Sequence, residues 1–261
     1  MTPFDRPTRE YMSSPVATLS GGAELIEAER LLDARNVSAL GVVGDHGQLL
    51  GVLSRTDLIH VGRQRASMAS DATLLTLPHL HVRQRMASPA ITVSPQTPLR
   101  QAAALLCDHH VHRVFVVEQE RPVGVLSTRD ILRAVADARV AAPLGTVMTR
   151  PVLTVDATAT LAQATDQLER AHLRGLVVVD GDWPVGLFTQ REALASRTAD
   201  AELPVEAVMS LALLCLPESL PLFRAAHFAL ASRARHILAV ESRQMHGIVS
   251  GLDFARVAAG R

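Results

Sequence analysis

The sequence predicts an α+β protein made of four copies of one strand–helix–strand–strand–helix unit. Three observations predict it. A seven-residue phrase recurs four times: Gly51–Asp57 reads GVLSRTD, Gly124–Asp130 GVLSTRD, Gly186–Glu192 GLFTQRE and Gly247–Asp253 GIVSGLD. A methionine precedes each glycine at a near-constant interval, Met12 by 39 residues and Met86, Met148 and Met209 by 38 each. The same order of apolar and helical stretches lies between these landmarks. A fixed period marks repeated supersecondary units rather than one large core.

Each unit opens on a short apolar stretch: Val16–Leu19, Ala90–Val93, Val152–Val155 and Leu213–Leu216. A helix follows. In the second unit Thr97 has the chemistry of an N-cap and Pro98 suits the first helical position. Leu99, Ala102, Ala103, Leu105 and Leu106 then form one apolar face at helical spacing, as do Leu161, Ala164 and Leu168, and Leu222, Ala225, Ala226 and Ala229. Next come second apolar runs, Leu40–Val43, Val114–Val117, Leu176–Val179 and Ile237–Val240, of which the continuous, largely β-branched Val114–Val117 suits a strand covered on both faces. Turn residues such as Glu118–Pro122 and Asp180–Pro184 lead into the glycine phrase, and a closing helix completes the unit. From the acid of the phrase to the next methionine is 29 residues in the first unit, against 18 and 17 in the next two. The surplus holds Ser67, Ser70, Asp71 and Pro78, and should extend the first closing helix before looping.

The chain has 261 residues and 48% hydrophobic content. A unit of about 60 residues is marginal alone, so units should pair and share a core. The expected division is a first pair, 1–140 (repeats about 5–62 and 80–139), and a second, 141–261 (about 141–198 and 202–258), each pseudo-two-fold. The apolar helix faces, including Leu31, Leu32 and Leu105, then need a further cover, which would set two modules face to face as a disc, within one chain or between two chains.

The formal net charge is +0, which gives no electrostatic footprint for nucleic acid or an anionic membrane. No apolar run approaches a membrane span. Asp5 and two prolines near the N-terminus do not read as a signal peptide. Cys107 and Cys215 fall in different elements and do not form a disulfide framework. The expected compartment is cytoplasmic. All 26 Lys+Arg residues are arginine, so lysine-dependent phosphate and Schiff-base chemistry is ruled out. Phosphate recognition falls to arginine, hydroxyls and backbone N–H groups. His79 and His81, and His109, His110 and His112, match no familiar metal-ligand spacing, and no metal is expected.

The phrase carries its own chemistry. Its Ser or Thr opens the closing helix, where free N–H groups and the helix dipole attract phosphate. One turn later the carboxylate can accept both hydroxyls of a ribose, as acidic residues do in dinucleotide folds. The glycine allows close approach to the strand. Ser-x-x-Asp before an apolar helix is equally a capping box, which needs no ligand. The two roles are compatible, because a capped N-terminus can still host an anion.

This arrangement resembles the CBS domain family, in which two such repeats make one Bateman module. The resemblance covers about residues 5–258 and rests on four copies of the phrase, each behind a methionine, the first three in an M-x-x-P start. It implies clefts between paired repeats and adenosine-containing ligands in some of them: AMP, ADP, ATP or S-adenosylmethionine. Residue by residue, it places Ser127, Arg129 and Asp130 at the second site, with His112 and Arg113 before the second strand facing the phosphate. The first site has Ser54, Arg55 and Asp57, with Ser38 and Ala39 in place of the His-Arg pair. The third has Thr189, Arg191 and Glu192, with Arg174 restoring charge. The fourth has Ser250 and Asp253, with Arg235 and His236 nearby. Thr92 and Thr154, on first strands that border adenine and sugar in the family, complete the set; a strand's preference for β-branched residues explains them equally well. Ranked by positive charge, the second site leads, the first and third follow, and the fourth is last.

Three functional classes compete. One is a non-catalytic sensor with an adenosine ligand as regulatory ligand, no required cofactor, and an unidentified protein target in trans. The second is a ligand-free oligomerisation or interaction scaffold. The third, an enzyme, finds no support in HExxH, Gly-x-Ser-x-Gly, Walker or GxGxxG motifs. The first class is expected. Homodimerisation is compatible with it, and the sequence leaves monomer versus dimer open.

Overall fold

The structure is a computed structural model that describes residues 2–66, 75–170, 175–242 and 244–261. The first repeat contains β1 (Thr18–Ser20), α1 (Leu25–Ala34), β2 (Ala39–Val43), β3 (Leu49–Ser54) and α2 (Arg55–Ala66). The second contains β4 (Thr92–Val93), α3 (Leu99–Asp108), β5 (Arg113–Glu118), β6 (Arg121–Ser127) and α4 (Thr128–Asp137). The third contains β7 (Thr154–Asp156), α5 (Leu161–Arg170), β8 (Gly175–Asp180), β9 (Trp183–Thr189) and α6 (Gln190–Ala195). The fourth contains β10 (Cys215–Pro217), α7 (Leu222–Ser232), β11 (His236–Glu241), β12 (Gln244–Ser250) and α8 (Gly251–Ala259). The α+β class and the predicted element order hold in all four.

Each repeat forms its own three-stranded sheet, with the first strand parallel to the second and the third antiparallel to it. The hairpins of the second and third repeats turn on two residues, and Gln119, Glu120 and Gly181 take the positive φ such turns require, while five residues join β2 to β3 in the first. The initial helices bury the same four positions, i, i+3, i+4 and i+7. These are Leu25, Ala28, Glu29 and Leu32; Leu99, Ala102, Ala103 and Leu106; Leu161, Ala164, Thr165 and Leu168; and Leu222, Ala225, Ala226 and Ala229. In the first repeat α2 is the longest of the closing helices, as the longer linker predicts. Ser67, Ser70 and Asp71 lie outside the described residues.

One expected cap shifts. Helix α3 starts at Leu99, so Pro98 is its N-cap and Thr97 precedes it. The Thr97 hydroxyl accepts from the Ser94 N–H (3.1 Å), and its carbonyl accepts from Thr8 N–H (2.8 Å). The Leu99 N–H that a cap would satisfy donates instead to the Arg6 carbonyl at 2.9 Å.

That bond comes from an exchange of chain segments. The residues divide into two compact units: Met1–Val16, Ala90–Val152 and Leu213–Arg261 form one, and Ala17–Pro89 and Leu153–Ala212 the other. The segment before β1 therefore docks on the second repeat, and the segment before β4 on the first. The third and fourth repeats exchange in the same way. Ser13 pairs with Val125, Ala87 with Val52, Thr149 with Ile248 and Ser210 with Leu187, each through reciprocal backbone hydrogen bonds of 2.8–3.1 Å.

The motif glycines are where the exchanged methionines land. A β-carbon at Gly51 would lie 2.9 Å from Met86 Sδ, and one at Gly247 would lie 2.6 Å from Met148 Sδ. Gly124 and Gly186 stand closer still to Met12 and Met209. Each glycine lies at a register shift in its hairpin, the first between Val42 and Val43, opposite Gly51. The close approach that the phrase predicts is made by a side chain of the other repeat.

In the first unit α3 packs on α8, and α4 packs on both α7 and α8. Their core is rich in alanine: Ala102, Ala103, Ala134, Ala225, Ala226, Ala255 and Ala258. Leu105 packs against the same core. Small side chains let helices approach closely, and Gly251 is the extreme case: its β-carbon would lie 2.5 Å from Thr128 Cβ. In an open helix Ala would be favoured over Gly by about 1 kcal/mol, but overpacking costs about 1–3 kcal/mol. Gly251→Ala is therefore expected to lower stability in urea titration, and Thr128→Gly in the same chain to restore part of the loss. A neutral Gly251→Ala would contradict the packing. In the second unit α2 meets α6, and Leu32, with Leu31 against it, enters a core shared with Leu161, Leu176 and Phe188.

Candidate functional site

The four strand–helix junctions have one geometry. Ser54 donates its backbone N–H and its hydroxyl to Asp57 Oδ2, both at 2.7 Å. Ser127 does the same to Asp130 Oδ2 at 2.8 and 2.7 Å, and Ser250 to Asp253 Oδ2 at 2.6 and 2.8 Å. Thr189 donates its N–H to Glu192 Oε2 at 3.1 Å and its hydroxyl to the same oxygen. One carboxylate oxygen in each repeat thus satisfies the cap, and the other faces away from it. These are capping boxes. They also fix an acidic group and a hydroxyl together at a helix N-terminus, where the dipole favours negative charge.

The strands bring further predicted residues to these junctions. Arg113 pairs directly with Ser127 across β5 and β6, and the Thr128 N–H donates to the His112 carbonyl at 3.0 Å. In the fourth repeat His236 pairs with Ser250, and in the first Ala39 pairs with Ser54 while Arg55 N–H donates to the Ser38 carbonyl. Thr92 is exposed on β4 opposite Phe115, two residues along β5 from the Arg113–Ser127 pair. Thr154 is half-buried, and its carbonyl accepts from Gln167 Nε2 at 3.0 Å. Arg174 lies outside the described residues.

Two of the arginines counted as phosphate cations have other engagements. Arg55 is buried and meets Asp33 of α1 at 2.7 Å. Arg129 donates to the Leu230 carbonyl at 2.7 Å, near the end of α7, where a cation suits the dipole. Arg191 is exposed at the start of α6.

Two arginines that sequence reasoning passed over act directly on the motif. Arg133 Nη2 meets Asp130 Oδ1 at 2.6 Å, and Arg256 Nη1 meets Asp253 Oδ1 at 2.5 Å. The signal was an arginine three residues after the acid, one helical turn on. Arg133 also donates to the Tyr11 carbonyl at 2.9 Å, and its guanidinium lies 5.9 Å over the Tyr11 ring. The Tyr11 hydroxyl in turn donates to Asp137 Oδ2 at 3.2 Å. Burial pushes the Cys107 and Cys215 thiols above their usual range, away from the thiolate form.

Four small sheets, each ending in a hydroxyl–carboxylate pair at a helix N-terminus and each covered by a segment from another repeat, define a class of paired-repeat proteins. Comparison with known families matches residues 9–63, 82–137 and 144–197 to the CBS domain, well over half of the chain. The chain belongs to the CBS domain family. The fourth repeat lies outside those matches and has the same fold and motif.

Protein MJ1225 from Methanocaldococcus jannaschii, crystallised as a candidate archaeal homologue of g-AMPK, shares the fold with a TM-score of 0.84 and 16% identity, covering 96% of this chain and 99% of its own. The chain is also 26% identical over 172 residues to the uncharacterised protein MJ1404 of the same organism, spanning 60% of this chain and 39% of that one. It is 30% identical over 113 residues to human 5′-AMP-activated protein kinase subunit gamma-3, spanning 43% of this chain and 23% of the subunit. Among the described residues no helix is long and apolar enough to cross a membrane.

Proposed function

We propose that this chain is a non-catalytic regulatory sensor. It binds an adenosine-containing ligand (AMP, ADP, ATP or S-adenosylmethionine) and passes the change to a partner protein in trans. The observation that carries this is the recurring placement of a hydroxyl, backbone N–H groups and a carboxylate at a strand–helix junction. Those groups suit a phosphate and a ribose diol. Similarity over 113 residues to a subunit of a 5′-AMP-activated protein kinase supports the ligand class. Ser54 and Asp57 are the core of the proposed site; Ser127 and Asp130, with Arg113 and His112 beside them, and Ser250 and Asp253 repeat its local geometry.

The pairing of residues 1–140 and 141–261 as two modules belongs to the same proposal. The exchange of segments, first repeat with second and third with fourth, supports it.

A thermal-shift panel tests the sensor. At ligand a hundredfold above its dissociation constant, binding adds about 2.7 kcal/mol per site, which a melting curve resolves. Unchanged melting with all four ligands at millimolar concentration would sink the sensor. That result would favour the scaffold, to which the closed capping boxes of the second and fourth repeats already lend some weight.

A further inference from the structure

The four motif carboxylates differ in what holds their second oxygen. Asp130 is 4% exposed and Asp253 2%; in both, one oxygen serves the cap and the other meets an arginine. Three residues after Asp57 stands His60, turned to Glu169 of α5 at 3.0 Å; three after Glu192 stands Ala195. Asp57 is half-buried, and among the described residues no arginine pairs with it.

A ribose diol needs a carboxylate oxygen that can accept its hydroxyls. At Asp130 and Asp253 a ribose would have to displace an arginine from an almost fully buried group. A charge-assisted bond of this kind is about twice as strong as a neutral one, and a hydroxyl does not replace it. At Asp130 the displacement also takes Arg133 off the Tyr11 carbonyl, so it loosens the docked N-terminal segment.

Building on the proposed function, we infer that Arg133 and Arg256 are specificity-determining residues. They close the second and fourth repeats to a ribose diol and leave Asp57 of the first repeat as the carboxylate that takes it. This reverses the order that positive charge alone gives. Of the cations behind that order, Arg129 and Arg55 are held at Leu230 and Asp33, while the discriminating cations lie one turn further along the helix.

Two measurements on the full chain test the inference: AMP titration by calorimetry, and carbodiimide-driven labelling of carboxylates without ligand, read by mass spectrometry. Asp57→Asn should weaken AMP binding by about tenfold or more, the effect of losing a hydrogen bond to a charged group. Asp130→Asn and Asp253→Asn should leave AMP affinity within about twofold, since neither carboxylate would touch the ligand. Arg133→Met should add an AMP equivalent and raise labelling of Asp130. Arg256→Met repeats the test at Asp253, without the Tyr11 contact, should Arg133→Met fold poorly. Loss of AMP affinity in Asp130→Asn equal to that in Asp57→Asn would overturn the inference. So would unchanged stoichiometry and labelling in both arginine variants. If neither the parent chain nor the arginine variants bind AMP, the sensor fails for AMP, and labelling alone decides the closure. Asp57 labelled with Asp130 and Asp253 protected upholds it, and equal labelling of all three overturns it.

Discussion

Arg197→Met is expected to destabilise the chain by about 3 kcal/mol, at the low end of the range for breaking a buried ion pair. Glu29 is only 8% exposed on α1, and Arg197 Nε meets its Oε1 at 2.6 Å. Removing the arginine leaves a carboxylate inside an apolar core beside Leu25 and Leu32. The low end applies because the Arg197 side chain is 24% exposed, so water can partly replace it. Glu29→Met combined with Arg197→Met should recover most of the loss, since an apolar pair of similar volume often does as well as the ion pair. Urea unfolding of both single variants and the double variant measures this. Single-variant losses below about 1 kcal/mol, the level of a surface pair, would mean that Glu29 is more hydrated than its burial indicates.

Gly124→Val should be comparably severe. The first side-chain carbon would overlap the Met12 sulfur, with two methyl groups still to place. Overpacking of a fixed site costs about 1–3 kcal/mol and sometimes more. Here relief means moving the exchanged segment, which also holds Ser13 on Val125 and Tyr11 under Arg133. Met12→Ala in the valine background should return part of the stability by vacating the space. Unfolding midpoints equal to those of the parent chain would show that the segment is not seated on the glycine.

Much of the fold was open to inspection because it is written four times. The runs at Val114–Val117 and Leu176–Val179, and the apolar helix positions, sit where periodicity places them. The constant methionine-to-glycine interval was equally visible, but its meaning was not. Reciprocal exchange preserves the spacing along the chain while joining Met12 to Gly124 instead of Gly51, and one-dimensional spacing cannot separate the two cases. Thr97 failed as a cap for the same reason: a carbonyl from the exchanged segment does the cap's work.

At the junctions, Ser-x-x-Asp announced itself and its local bonds followed. What holds the second carboxylate oxygen did not. An arginine one turn on is usually a solvated surface partner worth little, and only burial of Asp130 and Asp253 makes it decisive. The bond from Arg129 to Leu230 depends on packing between repeats far apart in sequence. Glu29 stands where the second and fourth repeats have Ala103 and Ala226, and on sequence alone it passes for a surface charge.

The most direct test of the sensor is equilibrium dialysis of the full chain against radiolabelled AMP, with unlabelled ADP, ATP and S-adenosylmethionine as competitors. The account predicts saturable retention of AMP, displaced by at least one competitor and reduced in Asp57→Asn. No retention of AMP, and none of the three competitors when each is labelled in turn, would contradict it.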